Sequence, residues 1–267
     1  MKKKAGKKAH TKMLHGSLDL NINGEPAKIE LPVPEAAVMP EKMLPVFRDL
    51  TNSSVQLSIK AVEKNGKAIS CRSGCSACCR QLVPVSKLEA REISKLVSRL
   101  PAVKKIEVKK RFEKALEQLS KLGGFSDKEQ KGVEDLPAGE RHDIAMEYLE
   151  LGIDCPFLEN ESCSIYEARP LSCREYLVTS PAENCSAPTE ETMDMVPVSL
   201  PVSAMLNKLS AEILGDNEPG YIPLIGALRF AEDKSVSFSA KTGPEWMKML
   251  MDKLPRRNQT GDPAEAV

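Results

Sequence analysis

The chain carries eight cysteines in two groups, and thiols at this density could bind metal. The first group has the spacing Cys-x3-Cys-x2-Cys-Cys within nine residues, and the second is spread over residues 155–185. A thiolate is a soft, negatively charged ligand that suits zinc, copper(I) and iron–sulfur clusters. Isolated buried cysteines would not cluster in this way, so we predict that both groups meet around metal. The candidate ligands are Cys71, Cys75, Cys78, Cys79, Cys155, Cys163, Cys173 and Cys185.

The surroundings of the cysteines refine this prediction. Ser73, Gly74 and Ser76 disfavour a regular helix in the first group, so we expect a loop whose backbone N–H groups point at the sulfurs. Cys185 is the weakest candidate, since no bend or apolar residue of fixed spacing accompanies it. We therefore expect Cys185 to be peripheral to the centre.

The other charged and nitrogen-bearing residues favour ligation by sulfur alone. Of the three histidines, His10 and His15 fall in the N-terminal tail and His142 fits the surface of a predicted helix. Arginine adjoins the cysteines at positions 72, 80 and 174. A four-thiolate zinc site and an oxidised four-iron cluster are both negatively charged, and guanidinium groups nearby would offset that charge and lower the thiol pKa values.

Three other interpretations of the cysteines compete with this one. Four disulfides would need an oxidising compartment, and no apolar run of a signal peptide follows the basic N-terminus. A single catalytic cysteine would lack a well-placed histidine. The spacing Cys71-x3-Cys75-x2-Cys78 also matches the cluster motif of radical S-adenosylmethionine enzymes. However, Ala77 stands where that family usually has an aromatic residue, and helix-like segments follow instead of strand–helix repeats.

Composition indicates a cytoplasmic, globular protein. The formal net charge is +0, which gives no overall attraction to nucleic acid or to an anionic membrane. No window approaches the roughly 20 apolar residues of a membrane span. We therefore expect a metal ion or cluster as the partner, with no membrane and no nucleic acid.

Local patterns predict the elements that must position the thiols. Alternating apolar residues around Asn23-Gly24 predict a small β-hairpin. Helices are predicted from Pro45 to about Lys64, with a break near Thr51-Asn52, over two segments between Ser86 and Gly123, and from about Ala138 to Leu151. Ser86 and Glu89 form a predicted capping box at the start of the first of those two segments. Further helices are predicted at 202–214, 221–230 and from Pro244.

These elements define a mostly α-helical fold with an irregular cysteine-rich metal-binding core and a small N-terminal β-hairpin. We divide the chain into a disordered basic tail (residues 1–16), a hairpin and helix (17–67), a cysteine-cluster domain (68–190), a C-terminal helical segment (191–254) and a disordered tail (255–267).

The two cysteine segments together resemble a known family of zinc- or iron-chelating cysteine-cluster proteins. The resemblance rests on the Cys-x3-Cys-x2-Cys-Cys block and on Cys155-Pro-Phe-Leu followed by Cys163-Ser-Ile-Tyr166-Glu-Ala-Arg169-Pro170-Leu-Ser-Cys173-Arg174. It implies metal binding by the cysteines of residues 68–190. In this pattern Arg169 could hydrogen-bond a sulfur or a backbone carbonyl. Flagellin lysine-N-methylase is similar in its cysteine motif, although no methyl-donor loop is recognisable in this chain.

Two functions remain open at this stage. The first is an iron–sulfur or other metal-dependent redox enzyme, including methyl-transfer-like chemistry. The second is a structural zinc module that organises an interaction surface.

Overall fold

The computed structural model describes residues 12–22, 25–123, 125–126, 131–215, 219–232 and 238–254. Within these ranges the fold is mostly α-helical with an N-terminal β-hairpin, as predicted, and it contains three further two-stranded antiparallel sheets. The helices are α1 (Leu44–Lys64), α2 (Lys87–Arg99), α3 (Ala102–Lys121), α4 (Ala138–Glu150), α5 (Leu171–Glu175), α6 (Val202–Leu214), α7 (Ala227–Glu232) and α8 (Gly243–Met251). The strands are β1 (Met13–Ile22), β2 (Glu25–Pro34), β3 (Pro84–Ser86), β4 (Phe125–Ser126), β5 (Lys131–Gly132), β6 (Leu158–Glu159), β7 (Ser162–Cys163) and β8 (Tyr221–Pro223).

The predicted N-terminal hairpin is present and is longer than expected. β1 and β2 pair antiparallel from Met13 opposite Pro34 to Ile22 opposite Glu25. Residues 13–16, assigned from sequence to the disordered tail, therefore belong to β1, because they complete the ladder opposite the buried residues Leu31 and Val33. The predicted turn at 23–24, the rest of the tail at 1–11 and the C-terminal tail from 255 lie outside the described residues.

Helix α1 is continuous through Thr51 and Asn52, where sequence alone suggested a break. The Thr51 hydroxyl donates 2.9 Å to the carbonyl of Phe47, so this β-branched residue satisfies its polar group within the helix. Ser54, one turn further on, both donates to the Leu200 carbonyl (3.0 Å) and accepts from the Leu200 N–H (3.2 Å). Buried hydroxyls thus join α1 to the segment before α6.

The helix predicted at residues 221–230, after the second cysteine group, is wrong in its first part. Residues 221–223 form strand β8, and only Ala227–Glu232 is α-helical. β8 pairs antiparallel with β3, which directly follows the first cysteine group. The pairing brings together residues more than a hundred positions apart, and no local pattern encodes it.

The largest hydrophobic core joins the two ends of the chain. It unites β2, α1, α6 and α8 around fully buried Phe47, Leu50, Leu206 and Trp246. Leu88 of α2 and Leu171 of α5 also belong to it, so the helix that carries Cys173 packs on this core. A second cluster joins α2 and α3 to Phe157 and Ile165 of the second cysteine group. The thiols lie where these packed layers meet.

Candidate metal centre

The first cysteine group is a loop, as predicted, that ends in a single 3₁₀ turn. Gly74 adopts φ +82°, the left-handed region that favours glycine, and the Cys75 N–H donates 3.1 Å to the Arg72 carbonyl. Residues Ala77–Arg80 then form the 3₁₀ turn. This compact path places four thiols on one short segment without a regular helix.

The second group is built on a tight hairpin and a short helix. β6 and β7 pair through a two-residue turn in which Asn160 and Glu161 have φ of 49° and 55°. Positive φ at both turn residues is typical of the type I′ hairpin. The hairpin separates Cys155 from Cys163, and α5 then supplies Cys173 from a position just after Pro170. Sequence analysis missed this hairpin, although Asn160 is a residue type that such turns favour.

The two groups meet in the structure. The Cys155 N–H donates 2.8 Å to the carbonyl of Cys79, which joins the groups directly through the backbone. The Ser76 hydroxyl donates to the Glu161 carboxylate, and Arg80 forms ion pairs with Asp154 (2.9 Å) and Glu161 (3.2 Å). The second half of the first group, residues 76–80, is therefore fastened to the segment that carries Cys155 and Cys163.

Cys185 lies closer to the first group than sequence alone suggested. It is only 3% exposed and sits in a 3₁₀ turn (Ala182–Ser186). The Gln81 side chain donates to the Cys185 carbonyl (3.1 Å) and to the Tyr176 hydroxyl (3.0 Å). Gln81 and Tyr176 are residues that sequence reasoning missed, since nothing in their local pattern marks them.

Side chains of helix α3 form hydrogen bonds and ion pairs with the second cysteine group. Arg111 donates to the carbonyls of Pro156 (3.3 Å) and Leu158 (3.4 Å) and pairs with the Glu159 carboxylate (3.2 Å). Lys104 pairs with the same carboxylate. These contacts hold the strand that leaves Cys155, so a helix without cysteines helps to position the thiols.

Burial raises the pKa of most of the thiols. It raises the pKa of Cys155 and of Cys185 to about 11, raises that of Cys71 and Cys163, and raises that of Cys173 well above the ordinary value. At all five, the charge of Cys78 is a further cause that raises the pKa. Cys78 thus lies within electrostatic range of thiols from every segment of both groups.

Cys78 and Cys79 act as a pair. Their thiols share a hydrogen bond, which lowers the pKa of Cys78 to about 7 and raises the pKa of Cys79. The pair therefore holds one proton more firmly than the other.

Backbone N–H groups already stabilise several thiolates. The N–H of Phe157 hydrogen-bonds to the sulfur of Cys155, and the N–H of Ile165 to that of Cys163; both hydrogen bonds lower the thiol pKa against the larger effect of burial. In each case the donor lies two residues beyond the cysteine. The Val178 N–H acts likewise on the sulfur of Cys71. Such donors offset thiolate charge when metal is bound.

The chemistry of the donor set fits zinc or an iron–sulfur cluster. All eight cysteines are free thiols, and His142, the one described histidine near the predicted site in sequence, is exposed. Across the described residues, however, no three Cys, His, Asp or Glu side chains stand in a ready-made ligand arrangement.

The three arginines that adjoin cysteines in sequence have different partners. Arg72 is exposed, and Arg80 forms ion pairs with two acidic residues. Arg174 donates to Asn52 Oδ1 (2.9 Å) and to the carbonyls of Glu167 (2.6 Å) and Arg169 (3.1 Å), so it fastens the loop before α5. Against the larger effect of burial, the charge of Arg174 also lowers the pKa of Cys163, as predicted.

Comparison with known proteins agrees with this arrangement. Residues 70–194 match the model of the CxxCxxCC family, whose description reads "Putative zinc- or iron-chelating domain". Neither the curated proteins nor the solved structures gave a match. No helix in the described ranges is long and apolar enough to cross a membrane. The matched residues 70–194 contain all eight cysteines, so this part of the chain is similar to the CxxCxxCC domain, described as putatively zinc- or iron-chelating.

Proposed function

We propose that this chain uses thiolates from both cysteine groups to hold an iron–sulfur cluster, with zinc as the alternative metal. The observation that supports it most is the meeting of the groups, through the 2.8 Å hydrogen bond from the Cys155 N–H to the Cys79 carbonyl. Thiolates without histidine suit both metals. The proposed ligands are drawn from the eight cysteines.

The proposal extends to redox or metal-dependent chemistry, including methyl-transfer-like chemistry, at such a centre. Eight thiols exceed the four that a single cluster or zinc ion needs, which leaves thiols for a second centre or for direct participation. When bound, an iron–sulfur cluster would supply electrons. The chain's own residues would hold it and, through α3 and the β6–β7 hairpin, shield it from one side.

A structural zinc module is the second candidate. It is favoured by the scarcity of regular structure between Cys155 and Cys185, where only two-residue strands and the five-residue helix α5 occur besides 3₁₀ turns. A segment with so little regular structure gains stability from a metal cross-link. Structural zinc can contribute on the order of 10 kcal/mol to folding.

Anaerobic purification with elemental analysis separates the two candidates. We expect a brown protein with iron and acid-labile sulfide in each chain, and a Cys78→Ser variant that retains little of either. A colourless wild-type protein with stoichiometric zinc would contradict the iron–sulfur proposal and support the structural zinc module. A wild-type protein that binds neither metal, freshly purified or after anaerobic loading, would contradict the proposal as a whole.

A further inference from the structure

The segment over residues 176–186 runs along the first cysteine group and is bound to it at two points. Just before the group, the Ser70 N–H donates 2.9 Å to the carbonyl of Val178. At the end of the group, the 3₁₀ turn Ala77–Arg80 packs against the 3₁₀ turn Ala182–Ser186, which contains the last cysteine. The segment is therefore held on both sides of the first group.

Gln81 makes the side-chain hydrogen bonds at the second of these points. Its backbone N–H donates 3.2 Å to the carbonyl of Cys78, which fixes the residue to the first group. Its side-chain Nε2 atom donates to the Tyr176 hydroxyl (3.0 Å) and to the carbonyl of Cys185 (3.1 Å). An amide NH₂ group has two hydrogens, so each of them serves a different partner on the segment.

The position of the turn Ala182–Ser186 decides whether Cys185 can bind metal. Cys185 is buried, so its sulfur can bind only a metal that is held within the protein. Within the part of the chain that the structure describes, the other hydrogen bonds of this turn reach only residues 181–192. Among the described residues, the Gln81 side chain therefore makes the hydrogen bond that joins the turn to the end of the first group.

We propose that Gln81 is the positioning residue that holds Cys185 beside the first group as a metal ligand. The inference rests on the proposed function, since it requires metal at these thiols. Gln81 acts on the backbone of Cys185, and its second hydrogen bond, to Tyr176, fixes the plane of the amide group. Residues that orient metal ligands in this way typically cost about 10–100-fold in metal affinity when they are replaced.

The test is a Co²⁺ titration of the reduced, metal-free full-length chain, with a competing chelator to measure affinity. Gln81→Leu removes both side-chain hydrogen bonds at nearly constant size, and Gln56→Leu replaces an exposed glutamine on α1 as the matched control. We expect Gln81→Leu to weaken Co²⁺ binding about tenfold or more, and Gln56→Leu to remain within about twofold of wild type.

A double variant shows whether Gln81 acts through Cys185. Cys185→Ser alone should weaken Co²⁺ binding at least as much as Gln81→Leu does and should reduce the thiolate-to-Co²⁺ absorption at saturation. Gln81→Leu added to Cys185→Ser should weaken binding by less than about twofold further, because the ligand that Gln81 positions is already absent. A residue that merely supports the fold would weaken binding by the same factor in both backgrounds.

Hydrogen exchange of the metal-free chain gives a second measurement that needs no metal. Exchange at the amides of Ala182–Ser186 should accelerate in Gln81→Leu and stay unchanged in Gln56→Leu, because only the first variant releases the turn. Unchanged exchange in Gln81→Leu would overturn the role of Gln81.

Three results of the titration would overturn the role of Gln81 while the metal centre stands. They are equal affinities for Gln81→Leu and Gln56→Leu, wild-type affinity for Cys185→Ser, and an equal loss from Gln81→Leu with and without Cys185. If Gln81→Leu fails to fold by circular dichroism, Gln81→Ala takes its place under the same limits, since it removes the same donor without adding apolar surface. A wild-type chain without a thiolate-to-Co²⁺ band would overturn the proposed function, and this inference with it.

Discussion

Glu89 joins the fold to the candidate metal centre, and its replacement by glutamine tests that connection. Its Oε2 atom accepts from the N–H (3.1 Å) and the hydroxyl (2.8 Å) of Ser86 and so completes the capping box of α2. Its Oε1 atom accepts from the N–H of Leu171 (2.8 Å), the first residue of α5. One carboxylate, 5% exposed, thus caps two helices, and the second of them carries Cys173.

Glu89→Gln keeps the shape of the side chain but leaves it with one acceptor oxygen. The amide NH₂ group must then face either Leu171 or Ser86, and a backbone N–H loses its partner. A lost hydrogen bond to a charged group, or an unsatisfied buried donor, costs about 1–3 kcal/mol. We expect a free energy of unfolding lower by about 2 kcal/mol, and at roughly 2–4 °C per kcal/mol a melting temperature lower by about 4–8 °C.

The assay is urea unfolding of the metal-free protein under reducing conditions, with hydrogen exchange measured in parallel. Exchange should accelerate at the amides of Leu171–Glu175, because α5 loses its cap. Glu245→Gln is the matched control. Glu245 forms the same capping box with Thr242 at α8, but it is exposed and, within the described residues, accepts no second backbone N–H of the kind that Leu171 donates to Glu89. If Glu89→Gln is no more destabilising than Glu245→Gln, the two-helix cap is refuted.

Three further predictions concern packing and metal. Gly220→Ala should lower the free energy of unfolding by at least about 1–3 kcal/mol in thermal unfolding, since the added Cβ would lie 1.8 Å from the backbone oxygen of Asn207 on α6. Gly139→Ala, in open space on α4, should instead raise the free energy of unfolding by about 0.5–1 kcal/mol. Equal effects of the two substitutions would contradict the close packing of Gly220 against α6. Single Cys→Ser variants assayed for bound metal per chain should show a large loss for Cys78→Ser. We now expect a loss for Cys185→Ser as well, because Cys185 is buried beside the first group, and full retention there would support the peripheral role inferred from sequence. Removal of metal by a chelator should lower the melting temperature and accelerate hydrogen exchange within residues 70–194, while the amides of the hairpin β1–β2 stay protected. An unchanged melting curve after complete metal removal would contradict this prediction.

Elements that depend on residues within four positions of each other could be predicted from sequence. Ser86 and Glu89 specify the start of α2, and the alternation around Leu18 and Leu20 specifies a hairpin strand, because both patterns act through local hydrogen bonds or a single periodicity. The spacing of Cys71, Cys75, Cys78 and Cys79 likewise indicates metal chemistry from the type and density of the ligands. These conclusions need no knowledge of distant neighbours.

Contacts between distant residues were decided by the tertiary structure alone. Sequence adjacency pointed to Arg72, Arg80 and Arg174 as charge-offsetting residues, whereas the fold pairs Arg80 with Asp154 and Glu161 and joins Arg174 to Asn52. Cys185 seemed peripheral because its neighbours in sequence are unremarkable. Gln81, 104 positions away, accounts for its place beside the first group. The pairing of β3 with β8 has the same origin, since a strand of three residues becomes stable only when packing on α6 brings its partner alongside.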